Sequence, residues 1–389
     1  MKNKFYYKCV TCGAEYKSDE IMYLCPKCQQ QNDPDLPPRG VLFTLYDYSK
    51  IPPSIDKLKE NDFFDLLPLY DYNSLPNLRV GKTPLYLVEK IDGQTLNFDL
   101  YIKDDSQNPT FSFKDRASAI VSAFAKERNI NTIAAASTGN AGSSLAGIAA
   151  AQGQNAIIFV PKSAPKAKLT QILMYGARLV AVDGNYDMAF DLSIEESNKH
   201  GWYNRNTAYN PITIEGKKTV SLELFDQLRF VPDKIFVPVG DGVIISGVYK
   251  GYEDLLKLGI IDRMPVIVAV QAEGSSNLIN NVYQELFDYE QSNTIADSIA
   301  VDIPRNFYMA KHYIQEYDGE ICSVSDEEIL QASKILARNT GICAEPAAAA
   351  AFAGFLSFKK QGLIDENSSV VVLSTGSGLK DLDAVQGVL

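Results

Sequence analysis

Residues 132–152 read TIAAASTGNAGSSLAGIAAAQ, and this stretch decides the fold. Its first residues are apolar without the in–out alternation of a strand that faces water on one side. They run into Ser137-Thr138-Gly139-Asn140 and then into small, mostly apolar residues at 143–152. An apolar strand that feeds a small-residue turn and a helix is half of a strand–helix–strand unit. Such units build parallel sheets covered on both faces. The same pattern recurs in both directions along the chain. Strands are predicted at 100–103, 132–135, 156–160, 178–182, 234–239, 266–272 and 370–374. Helices are predicted at 113–128, 143–152, 166–175, 186–199, 216–228, 245–258, 326–340 and 346–361, with one more near 55–64. The fold class is α/β, and no repeat suggests a solenoid.

A chain of 389 residues exceeds the roughly 250–300 at which one core stops growing, so several domains are expected. Hydrophobic residues at 46% and charged residues at 22% exclude wholesale disorder. The balance of 37 basic against 48 acidic residues gives a net charge of −11, the wrong sign for a general nucleic-acid binder. No apolar run approaches the roughly 20 residues of a membrane span. Residues 1–10, MKNKFYYKCV, lack a leader's apolar core, so the cytoplasm is the expected compartment.

Of six cysteines, four fall within the first 28 residues as Cys9-x-x-Cys12 and Cys25-x-x-Cys28. Each pair can wrap a tight turn around one side of a tetrahedral ion, and four thiolates close a structural zinc site with no open position. Residues 1–32 are therefore expected to be a zinc ribbon. Its folding free energy would come from metal binding, about 10–16 kcal/mol. The polar, proline-rich residues 29–39 read as a linker.

In open parallel sheets, ligands sit beyond the carboxyl ends of the strands, and four segments there stand out. Asn108-Pro109-Thr110-Phe111-Ser112-Phe113-Lys114-Asp115-Arg116 is a turn entering a helix. A lysine in a first helical turn opposes the helix dipole, which favours a lowered pKa and a covalent role; from these residues alone an ordinary solvated lysine is the favoured reading. Ser137-Thr138-Gly139-Asn140 offers hydroxyls and free N–H groups for a carboxylate or phosphate. Gly240-Asp241-Gly242-Val243-Ile244 is a glycine turn before a helix, suited to phosphate, with neither a Walker lysine nor a dinucleotide spacing. Ser374-Thr375-Gly376-Ser377-Gly378 places a hydroxyl at a strand end.

Taken in this order, with Lys82-Thr83-Pro84-Leu85, Asn210-Pro211, Glu215-Gly216-Lys217-Lys218-Thr219 and Gly341-Ile342-Cys343-Ala344-Glu345-Pro346, the segments resemble the fold-type II pyridoxal-phosphate enzymes, and within them the threonine synthases. The resemblance covers about residues 75 to 385. It implies two α/β domains of the tryptophan synthase β type: a large cofactor-binding domain from 33–110 and 206–389, and a small one from 111–205. It implies that Lys114 bonds covalently to pyridoxal phosphate and then moves protons. Phe113 would lie beside the ring and Asn140 would bond its 3′-oxygen. Gly240, Asp241, Gly242, Val243 and Ile244 would cradle its phosphate, and Thr375 would bond its pyridine nitrogen. Thr83, Ser137 and Thr138 would meet the substrate, a small phosphorylated amino acid. A homodimer is compatible with this reading, and neither nucleic acid nor membrane is an expected partner.

Four positions depart from the family's pattern. Phe111 stands where glycine is usual, Asp241 where asparagine is common, Thr213 where an arginine often serves the substrate phosphate, and Ser377 where histidine is common. The missing charge could come from Lys82, Arg116, Arg205 or Lys217, and Lys217 is the favoured candidate. The implied reaction converts O-phosphohomoserine and water to threonine and phosphate. A β-replacement on O-phosphoserine of the cysteate synthase kind, a threonine dehydratase, or a ribbon-bearing binding protein on an inactive scaffold are the alternatives.

Overall fold

The computed structural model describes residues 4–20, 22–164 and 166–386. Two parallel sheets carry the chain. The larger runs in the order Glu320–Val324, Val266–Ala272, Lys234–Pro238, Ser369–Ser374, Gln94–Asp104, Leu85–Ile91, and only the last strand is antiparallel to its neighbour. The smaller runs Arg178–Val182, Asn155–Pro161, Thr132–Ala136, Tyr203–Asn204, all parallel. Central strands such as Ser369–Ser374 are buried at every position, which is why they read as continuous apolar runs.

In the two large sheets, the strands missed from sequence are edge or short ones. Leu85–Ile91 and Glu320–Val324 alternate with exposed residues and flank the large sheet, and Tyr203–Asn204 has two residues. The helix expected at 216–228 is two, Ile212–Lys217 and Thr219–Leu228, joined through Lys218, whose backbone stays helical at φ −61° and ψ −21°.

The sheet that carries the cysteines draws in chain beyond residue 32. Strand Phe5–Cys9 pairs with Glu15–Lys17 on one side and with Leu42–Tyr46 on the other, in an antiparallel sheet whose third strand lies beyond the expected linker. The strand Leu42–Tyr46 buries every other residue and so supplies an apolar face that the metal-binding turns lack. Within this small sheet, Cys9, Cys12, Cys25 and Cys28 hold their sulfurs within 4.8 Å of one another. Tyr16 Oη stands 3.1 Å from Cys25 Sγ as a neighbour that orients a ligand. The group fits a closed, structural four-thiolate site.

Helix–helix packing brings the loops at the strand ends together. A Cβ on Gly216 would stand 2.2 Å from the Arg116 carbonyl, so helices Ile212–Lys217 and Lys114–Lys126 touch backbone to backbone. Gly247 and Gly251, one turn apart on helix Val243–Lys257, likewise admit Lys217 and Lys218. Arg116 is fully buried at this junction. It donates to Asp105 Oδ1 and Oδ2 at 2.9 and 2.5 Å and to Glu223 Oε1 and Oε2 at 2.8 Å each.

Two predictions follow from this architecture. Purified protein should hold about one zinc ion per chain, and Cys9→Ser with Cys12→Ser should release it and open the N-terminal sheet to proteases; metal analysis showing no zinc in the parent would refute the assignment. The second concerns acid stability. Burial raises the Glu223 carboxyl, but Arg116 and Lys103 outweigh it and hold the pKa at about 2, below the ordinary 4.5. Its contribution is complete above about 4.5 and is lost as pH falls towards about 2. Glu223→Gln should therefore lower stability at neutral pH by about 3–5 kcal/mol, the cost of breaking a buried pair. It should also flatten the acid limb of a denaturation profile.

Candidate active site

The turns that follow four strand ends meet in one cleft. Two of them are laced by backbone to each other and to the turn before helix Pro346–Gln361: Ser112 bridges Gly376, Ala344 bridges Ser377, and Phe113 N–H donates to the Thr375 carbonyl at 2.8 Å. Phe113 is buried beside Lys114, the first residue of helix Lys114–Lys126. No hydrogen bond or ion pair reaches Lys114 Nζ among the described residues. Burial first, and then the Arg205 guanidinium, lower its pKa, while Glu345 and Asp241 oppose the shift. The Thr375 hydroxyl has no partner among the described residues either.

From the smaller sheet, strand Thr132–Ala136 delivers Ser137 and Thr138, both partly accessible, and then Asn140 at the start of helix Asn140–Gln152. Asn140 Nδ2 donates to Glu345 Oε1 and Oε2 at 2.8 and 3.0 Å and reaches Ser298 Oγ at 3.3 Å. Asn140 therefore does not stand alone in the cleft. It bonds across the seam to a buried carboxylate on the large-sheet side, and Glu345 is a site residue to which the sequence assigned no role. Burial pushes the Glu345 carboxyl up, against the pull of Asn140, Lys380 and Lys114. Its position before Pro346, at the head of a helix, was the available signal.

After strand Lys234–Pro238, Gly242 takes a φ of 84°, open to glycine at low cost, and helix Val243–Lys257 begins. Among the described residues, the backbone N–H groups of 240–244 have no acceptor, so this turn is a ready anion nest at the positive end of a helix. The misfit expected of Asp241 is resolved by its direction. Its Oδ1 accepts from the Arg305 backbone N–H at 3.1 Å, outside the nest.

The candidate cations separate clearly. Lys82 is exposed and pairs with Asp62 at 2.6 Å. Arg116 is occupied by Asp105 and Glu223. Arg205 is fully buried and, among the described residues, meets only hydroxyls, Ser118 Oγ at 3.3 Å and Thr207 Oγ1 at 2.9 Å, while its Nη2 has no partner there. Burial lowers its pKa to about 10. Lys217 is fully buried and its Nζ also has no partner among the described residues. Burial, then Lys114 and Arg205, push its pKa well down. The Thr213 hydroxyl turns back to the Asn210 carbonyl at 2.7 Å and offers nothing to an anion. Thr83 already has partners within the chain. It is buried, donates to Asp105 Oδ1 at 2.7 Å, and accepts from Arg116 Nη2 at 3.2 Å.

The cleft thus fits pyridoxal phosphate on its own geometry. It offers an unpaired lysine with a lowered pKa, an open hydroxyl at the end of strand Ser369–Ser374, and a backbone nest for a phosphate. Two orphaned cations remain for a second anion.

Known proteins agree. The family model described as "Pyridoxal-phosphate dependent enzyme" matches residues 77–376. The threonine synthase of Methanocaldococcus jannaschii is 35% identical over 97% of this chain and 93% of its own. That of Methanosarcina acetivorans is 37% identical over 98% and 93%. Among solved structures, the processed threonine deaminase isoform 2 of Solanum lycopersicum superposes with a TM-score of 0.71 at 24% identity, covering 86% of this chain and 92% of that one. Maize serine racemase gives 0.70 at 23%, covering 86% and 96%. These two likenesses speak for the fold. With a family model over most of its length and relatives this similar end to end, the chain belongs to the pyridoxal-phosphate-dependent enzymes and, within them, to the threonine synthase family.

Proposed function

We propose that this enzyme converts O-phosphohomoserine and water to threonine and phosphate, and that Lys217 and Arg205 together hold the substrate's phosphate. One observation carries the second part: both side chains are buried beside Lys114 with nitrogen atoms that have no partner. A buried cation without a carboxylate is costly, and a dianion brought by the substrate removes that cost on binding.

When bound, pyridoxal phosphate supplies a sink for the electron pair left as a proton leaves the amino acid's α-carbon. The chain's residues do the rest. Lys114 Nζ, with its lowered pKa, takes the α-proton, passes it on, and, neutral again, serves as the base for the β-proton. Ser137 and Thr138, beside the N-terminus of helix Asn140–Gln152, receive the substrate carboxylate. Lys217 and Arg205 hold the phosphate as it departs from the γ-carbon. The γ-carbon then gains a proton, water gives its hydroxyl to the β-carbon, and Lys114 returns a proton to the α-carbon. Thr375 presents a neutral hydroxyl to the pyridine nitrogen, a weak partner that favours elimination over transamination.

Release of phosphate with formation of threonine should occur with O-phosphohomoserine and be far slower with O-phosphoserine; the reverse preference would move the assignment to β-replacement. Lys114→Ala should abolish turnover, and borohydride reduction of the holoenzyme should label Lys114 alone. Lys217→Ala should lower kcat/KM by about 1.5–3 kcal/mol, the worth of a hydrogen bond to a charged group, while the visible band of the bound cofactor persists. Loss of that band with KM unchanged would place Lys217 on the cofactor's phosphate instead.

A pH effect accompanies this. A lysine held low in the empty site and raised by an arriving dianion takes up a proton on binding. Inhibition by inorganic phosphate should therefore weaken as pH rises. Calorimetry in buffers of different ionisation enthalpy should show net proton uptake that Lys217→Ala loses.

A further inference from the structure

Helix Ile212–Lys217 carries Lys217 and runs on through Lys218 into helix Thr219–Leu228. It is held from outside by a closed set of buried charges. Tyr46 Oη donates to Glu215 Oε2 at 2.5 Å, and the same oxygen accepts from Lys218 Nζ at 2.5 Å. Lys218 Nζ also reaches Asp254 Oδ2 at 2.7 Å. Asp254 Oδ1 accepts from Tyr48 Oη at 2.6 Å and from Lys250. Tyr46, Glu215, Lys218, Lys250 and Asp254 are all buried, and the Tyr46 ring lies 4.2 Å from Lys218 Nζ.

Two carboxylates and two ammonium groups balance here. The carboxylates nearest Lys217 in sequence and on the facing helix are thus taken by Lys218 and Lys250. Lys217, between Glu215 and Lys218, is left with none. Tyr46 belongs to the N-terminal sheet: it closes strand Leu42–Tyr46, opposite Phe5, while Leu42 at the other end stands opposite the ligand Cys9.

We propose that Tyr46 is a positioning residue for the substrate-phosphate subsite, holding Glu215 so that Lys217 stays unpaired and aimed into the cleft. The ribbon sheet is then a brace for substrate binding as well as a cap. This rests on the reading of Lys217 as a ligand of the substrate phosphate, and the test separates the two.

Tyr46→Phe keeps the ring over Lys218 and removes only the hydroxyl. In the holoenzyme, KM for O-phosphohomoserine and the inhibition constant of inorganic phosphate should rise together by about three- to tenfold, the fold-change of an ordinary net hydrogen bond. kcat, the cofactor band and the zinc content should hold. In the double variant with Lys217→Ala the two effects should not add, because one acts through the other. A lowered melting temperature with KM unchanged would make Tyr46 a plain structural contact and overturn the proposal, as would full additivity in the double variant. If Lys217→Ala itself leaves phosphate inhibition untouched, the subsite reading fails, and the proposal with it. Should Tyr46→Phe accumulate poorly, Glu215→Gln reads out the same split between KM and kcat.

Discussion

The structure turns on the placement of buried positive charge without a buried counter-charge. Arg116 sits among Asp105 and Glu223, and Lys218 and Lys250 share Glu215 and Asp254. In those places each buried cation has its carboxylate. At the cleft the rule is broken for Lys114, Lys217 and Arg205 together, and the acid nearest the anion nest, Asp241, is turned to a backbone amide. Burial lowers the pKa of all three, the ordinary response of an unpaired ammonium or guanidinium to desolvation. A site of this kind is stable only on terms set by its ligands, and both the cofactor and the proposed substrate bring dianions.

Two sheets make this possible because their carboxyl ends converge. One strand-end turn gives Ser137 to Asn140 from the small sheet, and others give 240–244 and 375–378 from the large one. Glycine allows the elements behind them to come close enough. At Gly216, Gly247 and Gly251 an added methyl would lie 2.2 to 2.7 Å from a neighbouring atom, so even alanine would force helices apart that carry Lys114, Lys217 and the phosphate nest. Asn140 and Glu345 then tie the two sides across the seam, with the carboxylate lying over Gly376, where a side chain would collide with it at 2.3 Å.

These layers were not equally legible in the sequence. The central strands and long helices were plain: helices Asp326–Thr340 and Pro346–Gln361 have the expected limits, because a strong cap or a proline starts each and glycine ends it. Edge strands were hidden by exposure, since half of their residues face solvent. The glycine turns of the site could be read because close approach to a ligand restricts the residue type. Orientation could not. Thr83 lies in a motif that resembles a substrate site, yet its hydroxyl faces Asp105. Lys217 and Lys218 are adjacent and chemically identical, and one is unpaired while the other has two carboxylates. About 100° of helical rotation separates them, and only the identity of the packed neighbour decides which is which.

The same rotation accounts for the most conspicuous departure from the family's pattern, a threonine where an arginine often stands. Positions 213 and 217 are four residues apart on helix Ile212–Lys217, so they share a face. A helical side chain leans towards the N-terminus and covers the turn before its own Cα. A lysine at 217 therefore covers ground that a long side chain at 213 would otherwise occupy. With Thr213 folded back on the Asn210 carbonyl, that ground is clear. Against the facing helix, Gly247 leaves the Lys217 Cβ just enough room, at 2.7 Å from where its own Cβ would be. On the proposed reading the helix keeps a positive charge one turn further along, at Lys217, whose neighbours keep it from pairing.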